Sequence, residues 1–375
     1  MNKNIVWLRN KMNMLNLQGM ILSNPVNIKY LTGIEAEGVL LITRKENFFI
    51  TDARYIEEVQ SVLTIDDGII VNNISNLTPD DYENFFLFCE NVGFEENYVT
   101  YATYKRYIAR YKIHNLEETE YLIEKQRMIK DEEEIDYIER ACKITDKCFE
   151  HICEFIKVGK TEKEIATEIE KFFKENGAEE LAFDTIVASG KNSSKPHAVP
   201  TDKKIEAGDP ITIDMGCKYK GYCSDMTRTV FAKFVPDSVK PVYDLVLKNQ
   251  LQTLKDMKED MAIKVVSKMV ENDFKINGFE LVHSLGHGVG LDIHEIPFIN
   301  GKNDGVLKAN MTVTSEPGIY IPNRFGVRIE DTVLITKSGC INLTKSDKNY
   351  IIVDNTWFIA KNVIKCVALN ILEKN

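Results

Sequence analysis

Up to about residue 115, apolar positions come in short runs broken by polar turns. GMILSN (19–24) and GVLLIT (38–43) predict strands, and RKEN (44–47) predicts a turn. FFITDARYIEEV begins as another strand and turns helical near Tyr55. This mixture predicts an α/β unit with no concentration of chemically suggestive side chains. Between 116 and 130 the pattern gives way to the charged connector LEETEYLIEKQRMIKDEEE. Asp131 with Glu134 then predicts a capping box. Behind it Ile135, Ile138, Cys142, Thr145, Phe149, Ile152 and Ile156 recur at steps of three and four, one buried helical stripe that Gly159 ends. Thr161 with Glu164 predicts a second box, Ile165, Ile169 and Phe172 its stripe, and Gly177 its stop. A strand-rich half holding most of the histidines follows. The predicted domains are 1–122, 123–353 and an extension at 354–375 whose pattern allows an amphipathic helix and to which no role is assigned.

Composition narrows the class. At roughly 100–200 residues per domain, 375 residues predict two domains. With 44% apolar and 28% charged residues, the chain is neither a disordered tail, a collagen-like fibre nor a membrane bundle. No stretch approaches the roughly 18 apolar residues of a spanning helix, so no membrane partner is expected. The opening MNKNIVWLRNKMN is broken by Arg9, Asn10 and Lys11 and does not read as a signal peptide. The eight cysteines include no C-x-x-C pair, which suits reduced thiols and a cytoplasmic protein. With 47 Lys and Arg against 57 Asp and Glu, the net charge of −10 argues against nucleic acid as a partner. YATYKRYIARYK (101–112) has the aromatic and basic interleaving that can stack bases, but at this net charge a packed or solvated helix face accounts for it.

PITIDMGCKYKGYCSDMTRTVF (210–231) reads as a β-hairpin. A two-residue loop at Tyr219 and Lys220 would set Asp214 directly opposite Asp225. Opposed carboxylates repel and need a shared proton or a cation; a slipped turn would instead leave both exposed. His197, His283, His287 and His294 are four of the six histidines, and glycines at 286, 288 and 290 surround His287. Glu316 ends a strand in TSEPGIY. Glu330 lies among Val327, Ile329, Val333 and Leu334, with Arg328 nearby. Inward carboxylates on strands are costly without partners. Taken singly, each of these groups also reads as a surface acid or a satisfied core histidine. Together, Asp214, Asp225, Glu316, Glu330 and His287 balance two divalent cations and suit Mn²⁺, Co²⁺, Zn²⁺ or Fe²⁺.

Other chemistry is absent or weak. GHGVG is not a dinucleotide fingerprint, no phosphate loop is present, and HEIP is not H-E-x-x-H. Cys217 and Cys223 flank the aspartates and read as buried strand thiols, with thiolate ligation as the alternative.

PHAVPTD (196–202), GDPITIDMG (208–216), GYCSDMTRT (221–229), LGHGVGLDIHE (285–295), SEPGIY (315–320) and GVRIED (326–331) resemble, in order, the motifs of the pita-bread metallopeptidases. That group includes Xaa-Pro aminopeptidase (aminopeptidase P), prolidase, methionine aminopeptidase and the metal-free creatinase. NPVNIKYLTG and FFITDARY resemble the creatinase-type N-terminal domain. The resemblance runs to about residue 353. It implies an α/β N-terminal domain followed by an α+β pita-bread catalytic domain. Pro210 and the glycine-free VFAKF depart from the pattern and leave the exit of the second hairpin strand open.

By this resemblance Asp214, Asp225, His287, Glu316 and Glu330 are metal ligands, with Asp225 and Glu330 bridging two divalent ions, Mn²⁺ first. Glu316 is the implied general base toward a bridging water. His197 and His294 would bind substrate and stabilise the tetrahedral intermediate or leaving amine. His283 is a further pocket candidate, and Arg328 fixes the Glu330 carboxylate or faces a substrate carboxylate, with a structural salt bridge as the alternative. The first reading is a homodimeric Xaa-Pro aminopeptidase acting on proline-containing peptides, with prolidase, which cleaves Xaa-Pro dipeptides, as the alternative. Methionine aminopeptidase would not need the N-terminal domain. A metal-free creatinase-like enzyme or a binding protein on this fold predicts substituted ligands, whereas all five positions are filled.

Overall fold

The structure, a computed structural model, describes residues 3–63 and 68–354. Apart from residue 354, the predicted C-terminal extension lies outside the described residues. The chain forms two compact units, Met1–Arg127 and Met128–Asn375, where the sequence reading set its boundary at 122/123.

In the first unit, β1 (Gly19–Leu22), β2 (Val39–Thr43), β3 (Asn47–Thr51), β4 (Ile69–Asn73), β5 (Asn91–Phe94) and β6 (Asn115–Glu118) form one sheet. Its strand order is β4-β3-β2-β1-β5-β6. The helices are α1 (Lys3–Met14), α2 (Pro25–Thr32), α3 (Ile56–Val62), α4 (Pro79–Asn84), α5 (Tyr101–Tyr111) and α6 (Leu122–Arg127). Met20, Leu22, Leu40 and Ile42 pack with Ile5, Leu8 and Met12 of α1. Ile21, Leu41 and Ile50 pack with Tyr107 and Tyr111 of α5. Two-sided burial explains why β1 and β2 read as continuous apolar runs. It also accounts for the basic tyrosine segment. Two of its tyrosines are core, and Lys105, Arg106, Arg110 and Lys112 face solvent.

The second unit opens with α7 (Glu132–Phe155) and α8 (Glu162–Glu175), both entered through complete capping boxes at Asp131/Glu134 and Thr161/Glu164. The buried stripe of α8 is Ile165, Ile169 and Phe173. Phe172, the residue expected there, sits at the rim of this core, stacked at 5.0 Å on the His151 ring. These helices pack on β8 (Pro210–Met215) and β11 (Met226–Ala232), within a sheet that β7 (Ile186–Ser189) and β19 (Ile352–Val353) complete in the order β19-β11-β8-β7.

A second helix pair, α9 (Lys240–Asp256) and α10 (Ile263–Ile276), packs on another sheet. Its strands are β12 (Gly286–Gly288), β13 (Glu295–Ile299), β14 (Thr312–Ser315), β17 (Asp331–Ile335) and β18 (Cys340–Asn342). The short ribbons β9–β10 (Lys218–Tyr219, Tyr222–Cys223) and β15–β16 (Gly318–Ile321, Phe325–Arg328) complete the unit. Pro210 opens β8, the first strand position that proline tolerates. β11 runs on to Ala232 without a glycine, and Lys233 takes the positive φ of 68° beyond it.

The hairpin register corrects the sequence reading. The loop residues are Lys220 and Gly221, at φ 51° and 78°, the paired positive values of a type I′ turn. Moving the turn by one residue moves every partner by two. Asp214 therefore faces Thr227 rather than Asp225. A two-residue shift preserves the face, so both aspartates still reach one site. Asp225 itself lies between β10 and β11. There a Cβ on Gly216 would come 2.0 Å from the Ser224 carbonyl oxygen.

The two sheets are joined by a buried ion pair. Arg228 on β11 donates from Nη2 to Asp331 Oδ1 on β17 at 2.7 Å and also reaches the carbonyls of Thr227 and Glu330. Lys348 Nζ and Gln250 Nε2 hold Asp331 Oδ2 at 2.9 and 2.8 Å. Burial alone would raise the Asp331 carboxyl, but Arg228 and Lys348 hold it well below the usual carboxylate range. Its stabilising contribution is complete above the unfolded-state value of about 3.9. The contribution is lost as pH falls below that value toward the depressed folded one. In chemical denaturation at pH 7, Asp331→Asn should cost about 3–5 kcal/mol, because it leaves buried cations uncompensated. The difference from wild type should shrink below about pH 4; a constant difference would contradict this account.

Candidate metal centre

Each candidate side chain comes from a strand or a strand end. Asp214 sits on β8, Asp225 just before β11, His287 at the middle of β12 and Glu316 just after β14. Glu330 lies between β16 and β17. Close packing around His287 depends on its flanking glycines. A Cβ on Gly286 would lie 2.1 Å from the Thr314 carbonyl oxygen, and one on Gly288 would lie 2.5 Å from that of Ile296.

Ligand-type atoms of Asp225, His287 and Glu330 lie within 4.8 Å of one another, all buried. His287 Nε2 is 3.4 Å from Asp225 Oδ2 and 3.5 Å from Glu316 Oε1. Its Nδ1 is 3.0 Å from the Gly288 carbonyl. Donation to that carbonyl assigns the proton to Nδ1 and turns the Nε2 lone pair toward the acids. Glu316 Oε2 lies 3.8 Å from His283 Nδ1.

Arg328, at the end of β16, organises the acids. Its Nη2 is 2.6 Å from Asp214 Oδ2. Nη1 donates to the Tyr320 hydroxyl at 2.6 Å and the Pro196 carbonyl at 3.3 Å, and Nε to Thr227 Oγ1 at 3.0 Å. Thr227 passes the contact on, donating to Glu330 Oε2 at 2.7 Å. Arg328 thus grips Asp214 directly and Glu330 through a hydroxyl, with all three guanidinium nitrogens engaged. Its contacts include both the salt bridge and the link to Glu330 that the sequence reading weighed, and Arg328 also lines the cavity that holds the acids. Asp214 Oδ1 is buried with no hydrogen-bond partner among the described residues, an orphaned oxygen of the kind a cation would satisfy.

All nine residues named from the sequence line one cavity of about 590 Å³. His197, His283 and His294 share it with the acids, and Phe183, Ile186, Val199 and Phe298 give it apolar walls. The His294 ring stands 4.4 Å from that of His287. Sequence reasoning missed Tyr320 and Thr227. Tyr320 lies inside a recognised motif, but nothing local marks its hydroxyl. Thr227 becomes visible only once the register sets it opposite Asp214.

Burial, then neighbouring carboxylates, pushes Asp225 and Glu330 well above the ordinary carboxyl range. Burial, with Asp214 adding to it and Arg328 opposing, takes Glu316 to about 8. Burial also lowers His283 and His287 to about 4, which keeps both imidazoles neutral near pH 7. One guanidinium cannot balance four acids clustered in one largely buried site. Oxygen donors with a single imidazole fit hard or borderline divalent ions, so these residues could hold such ions.

Comparison with known proteins agrees with this chemistry. Residues 136–337 match metallopeptidase family M24, and residues 5–129 match the creatinase/prolidase N-terminal domain. A Xaa-Pro dipeptidase structure from Bacillus anthracis is 37% identical with TM-score 0.88, covering 94% of this chain and 99% of its own. A Xaa-Pro dipeptidase of Pyrococcus furiosus is 36% identical over 87% of this chain and 93% of its own. An X-Pro aminopeptidase structure from Thermotoga maritima is 32% identical with TM-score 0.83, covering 92% and 100%.

Fold and site thus define a metal-dependent hydrolase, with a creatinase-type N-terminal domain ahead of a pita-bread catalytic domain. The chain belongs to metallopeptidase family M24.

Mn²⁺ should raise the thermal midpoint of the wild-type protein. An ion at about 100 times its Kd adds about 2.7 kcal/mol. Glu330→Gln should abolish most of that rise, and an undiminished Mn²⁺ shift in the variant would remove Glu330 from the centre.

Proposed function

We propose that this protein is a dinuclear Xaa-Pro dipeptidase, a prolidase, hydrolysing the bond between a residue and a following C-terminal proline. The carrying observation is the convergence of four carboxylates and one imidazole on a single cavity that also holds three further histidines. Dipeptidases among its near full-length relatives support this reading over the aminopeptidase P reading that the sequence alone placed first.

Asp214, Asp225, His287, Glu316 and Glu330 would hold the divalent ions, two by the family resemblance and Mn²⁺ first. When bound, the ions polarise the scissile carbonyl and make a water nucleophilic near neutral pH. Glu316 takes the proton of the attacking water and returns it to the leaving secondary-amine nitrogen of proline. His197 and His294 hydrogen-bond the substrate carbonyl as charge develops on its oxygen, and His283 lines the pocket beside Glu316. Arg328 keeps Asp214 and Glu330 oriented. We further place the enzyme in the cytoplasm, as a homodimer in keeping with its family resemblance. All seven described cysteines are free thiols. No helix among the described residues is long and apolar enough to cross a membrane.

With Mn²⁺ added, a Xaa-Pro dipeptide should be hydrolysed and a Xaa-Pro-Xaa tripeptide left intact. Cleavage of the tripeptide before proline would make the protein an aminopeptidase P. Glu316→Gln should lower kcat by about 10²–10⁴-fold while the circular dichroism spectrum is kept; wild-type turnover in the folded variant would refute the general-base role.

A further inference from the structure

Glu162 is the first residue of α8 and is fully buried, yet it lies outside the cavity. Its carboxylate receives only donors. Oε1 accepts from the Ser189 amide at 2.7 Å and the Ser189 hydroxyl at 2.8 Å. Oε2 accepts from the Thr201 amide at 3.0 Å and the Thr201 hydroxyl at 2.6 Å. Asn192 Nδ2 lies 3.1 Å from both oxygens. An acceptor-only group suits this set, and a side-chain amide would bring an N–H against donors already in place.

The partners belong to the two ends of one loop. Ser189 ends β7 and Asn192 follows it, whereas Thr201 closes the far side. Between them the chain turns through Gly190, at φ 51°, and presents His197 to the cavity. Two further ties hold the middle of the loop. The Gly326 amide donates to Ser193 Oγ at 2.9 Å, and Arg328 reaches the Pro196 carbonyl. The His197 ring makes no hydrogen bond among the described residues. Its place is therefore set by the loop backbone.

We propose that Glu162 is a positioning residue: by fastening both ends of the 189–201 loop, it fixes His197 against the bound substrate. The proposal rests on the substrate role given to His197 above. Misplacement of such a group by about 1 Å costs on the order of 100-fold in rate.

The test is a double-variant cycle in the Mn²⁺-loaded full-length protein, with a Xaa-Pro dipeptide as substrate. Glu162→Gln should lower kcat by about 10–100-fold, with the far-ultraviolet circular dichroism spectrum unchanged. In a His197→Ala background the same change should lower kcat by less than about two-fold, because the group it positions is gone. Equal losses in both backgrounds, or wild-type kcat in the folded single variant, would overturn the proposal. If Glu162→Gln does not fold, Thr201→Val removes one donor and enters the same cycle, with a smaller loss that must again vanish beside His197→Ala.

Should the wild-type protein cleave no Xaa-Pro substrate, the functional reading fails and the positioning is read by NMR. The His197 imidazole resonance, assigned by its loss in His197→Ala, should then shift in Glu162→Gln while that of His151 on α7 stays put. An unmoved His197 resonance would overturn the positioning on its own.

Discussion

Four carboxylates held together away from water are the constraint around which the catalytic unit is arranged. Like charges in a low-dielectric pocket repel strongly, and burial already drives Asp225, Glu316 and Glu330 toward their neutral forms. Among the described residues lining the cavity one is a cation, Arg328, spread between Asp214 and, through Thr227, Glu330. That is too little to neutralise the set. The remaining demand for positive charge is what makes the cluster a receptor for divalent ions, and the orphaned Asp214 oxygen expresses that demand locally.

Holding such a cluster requires a stiff surround. Two helix-backed sheets each contribute acids to the cavity, so their alignment sets the spacing of the cluster. Arg228 and Asp331 clamp β11 to β17 beside Glu330, Asp331 being its chain neighbour and Arg228 that of Thr227, which bonds Glu330; Gln250 of α9 and Lys348 share the load. Glycines at 216, 286 and 288 remove side chains where backbones must meet. The same economy appears in the loop bearing His197, which Glu162 fastens at both ends instead of a hydrogen bond on the histidine itself. In each case a buried, fully occupied polar group stands behind a group that faces the cavity.

Neutral histidines complete the chemical picture. His287 gives its Nδ1 proton to the Gly288 carbonyl and keeps Nε2 for the acids. His283, also neutral, sits beside Glu316, and His197 and His294 occupy the more open part of the cavity. Acids, imidazoles and the apolar side chains Phe183, Ile186, Val199 and Phe298 thus share one cavity. Membership in metallopeptidase family M24 agrees with an acid-rich cavity of this kind.

Local rules sufficed for much of this. The capping boxes at Asp131 and Thr161, the stripe of α7 and the runs of β1 and β2 follow from propensity and periodicity, which depend on near neighbours in the chain. The ordered motifs contain Asp214, Asp225, Glu316, Glu330, His197, His287 and His294, because donor types and their order are written in the sequence, whereas His283 lies just before a motif and Asp184 of the cavity wall lies in none. Tertiary structure decided what depends on distance across the chain. The pairing of Asp214 with Thr227 hung on which residue of KYKG could adopt positive φ, a choice that moves partners without changing faces. Phe173 rather than Phe172 entered the core, a choice between adjacent positions that what α8 packs against decides. Tyr320, Thr227 and Glu162 acquire their roles from partners 8, 103 and 27–39 residues away, and only folding brings those atoms within hydrogen-bond reach.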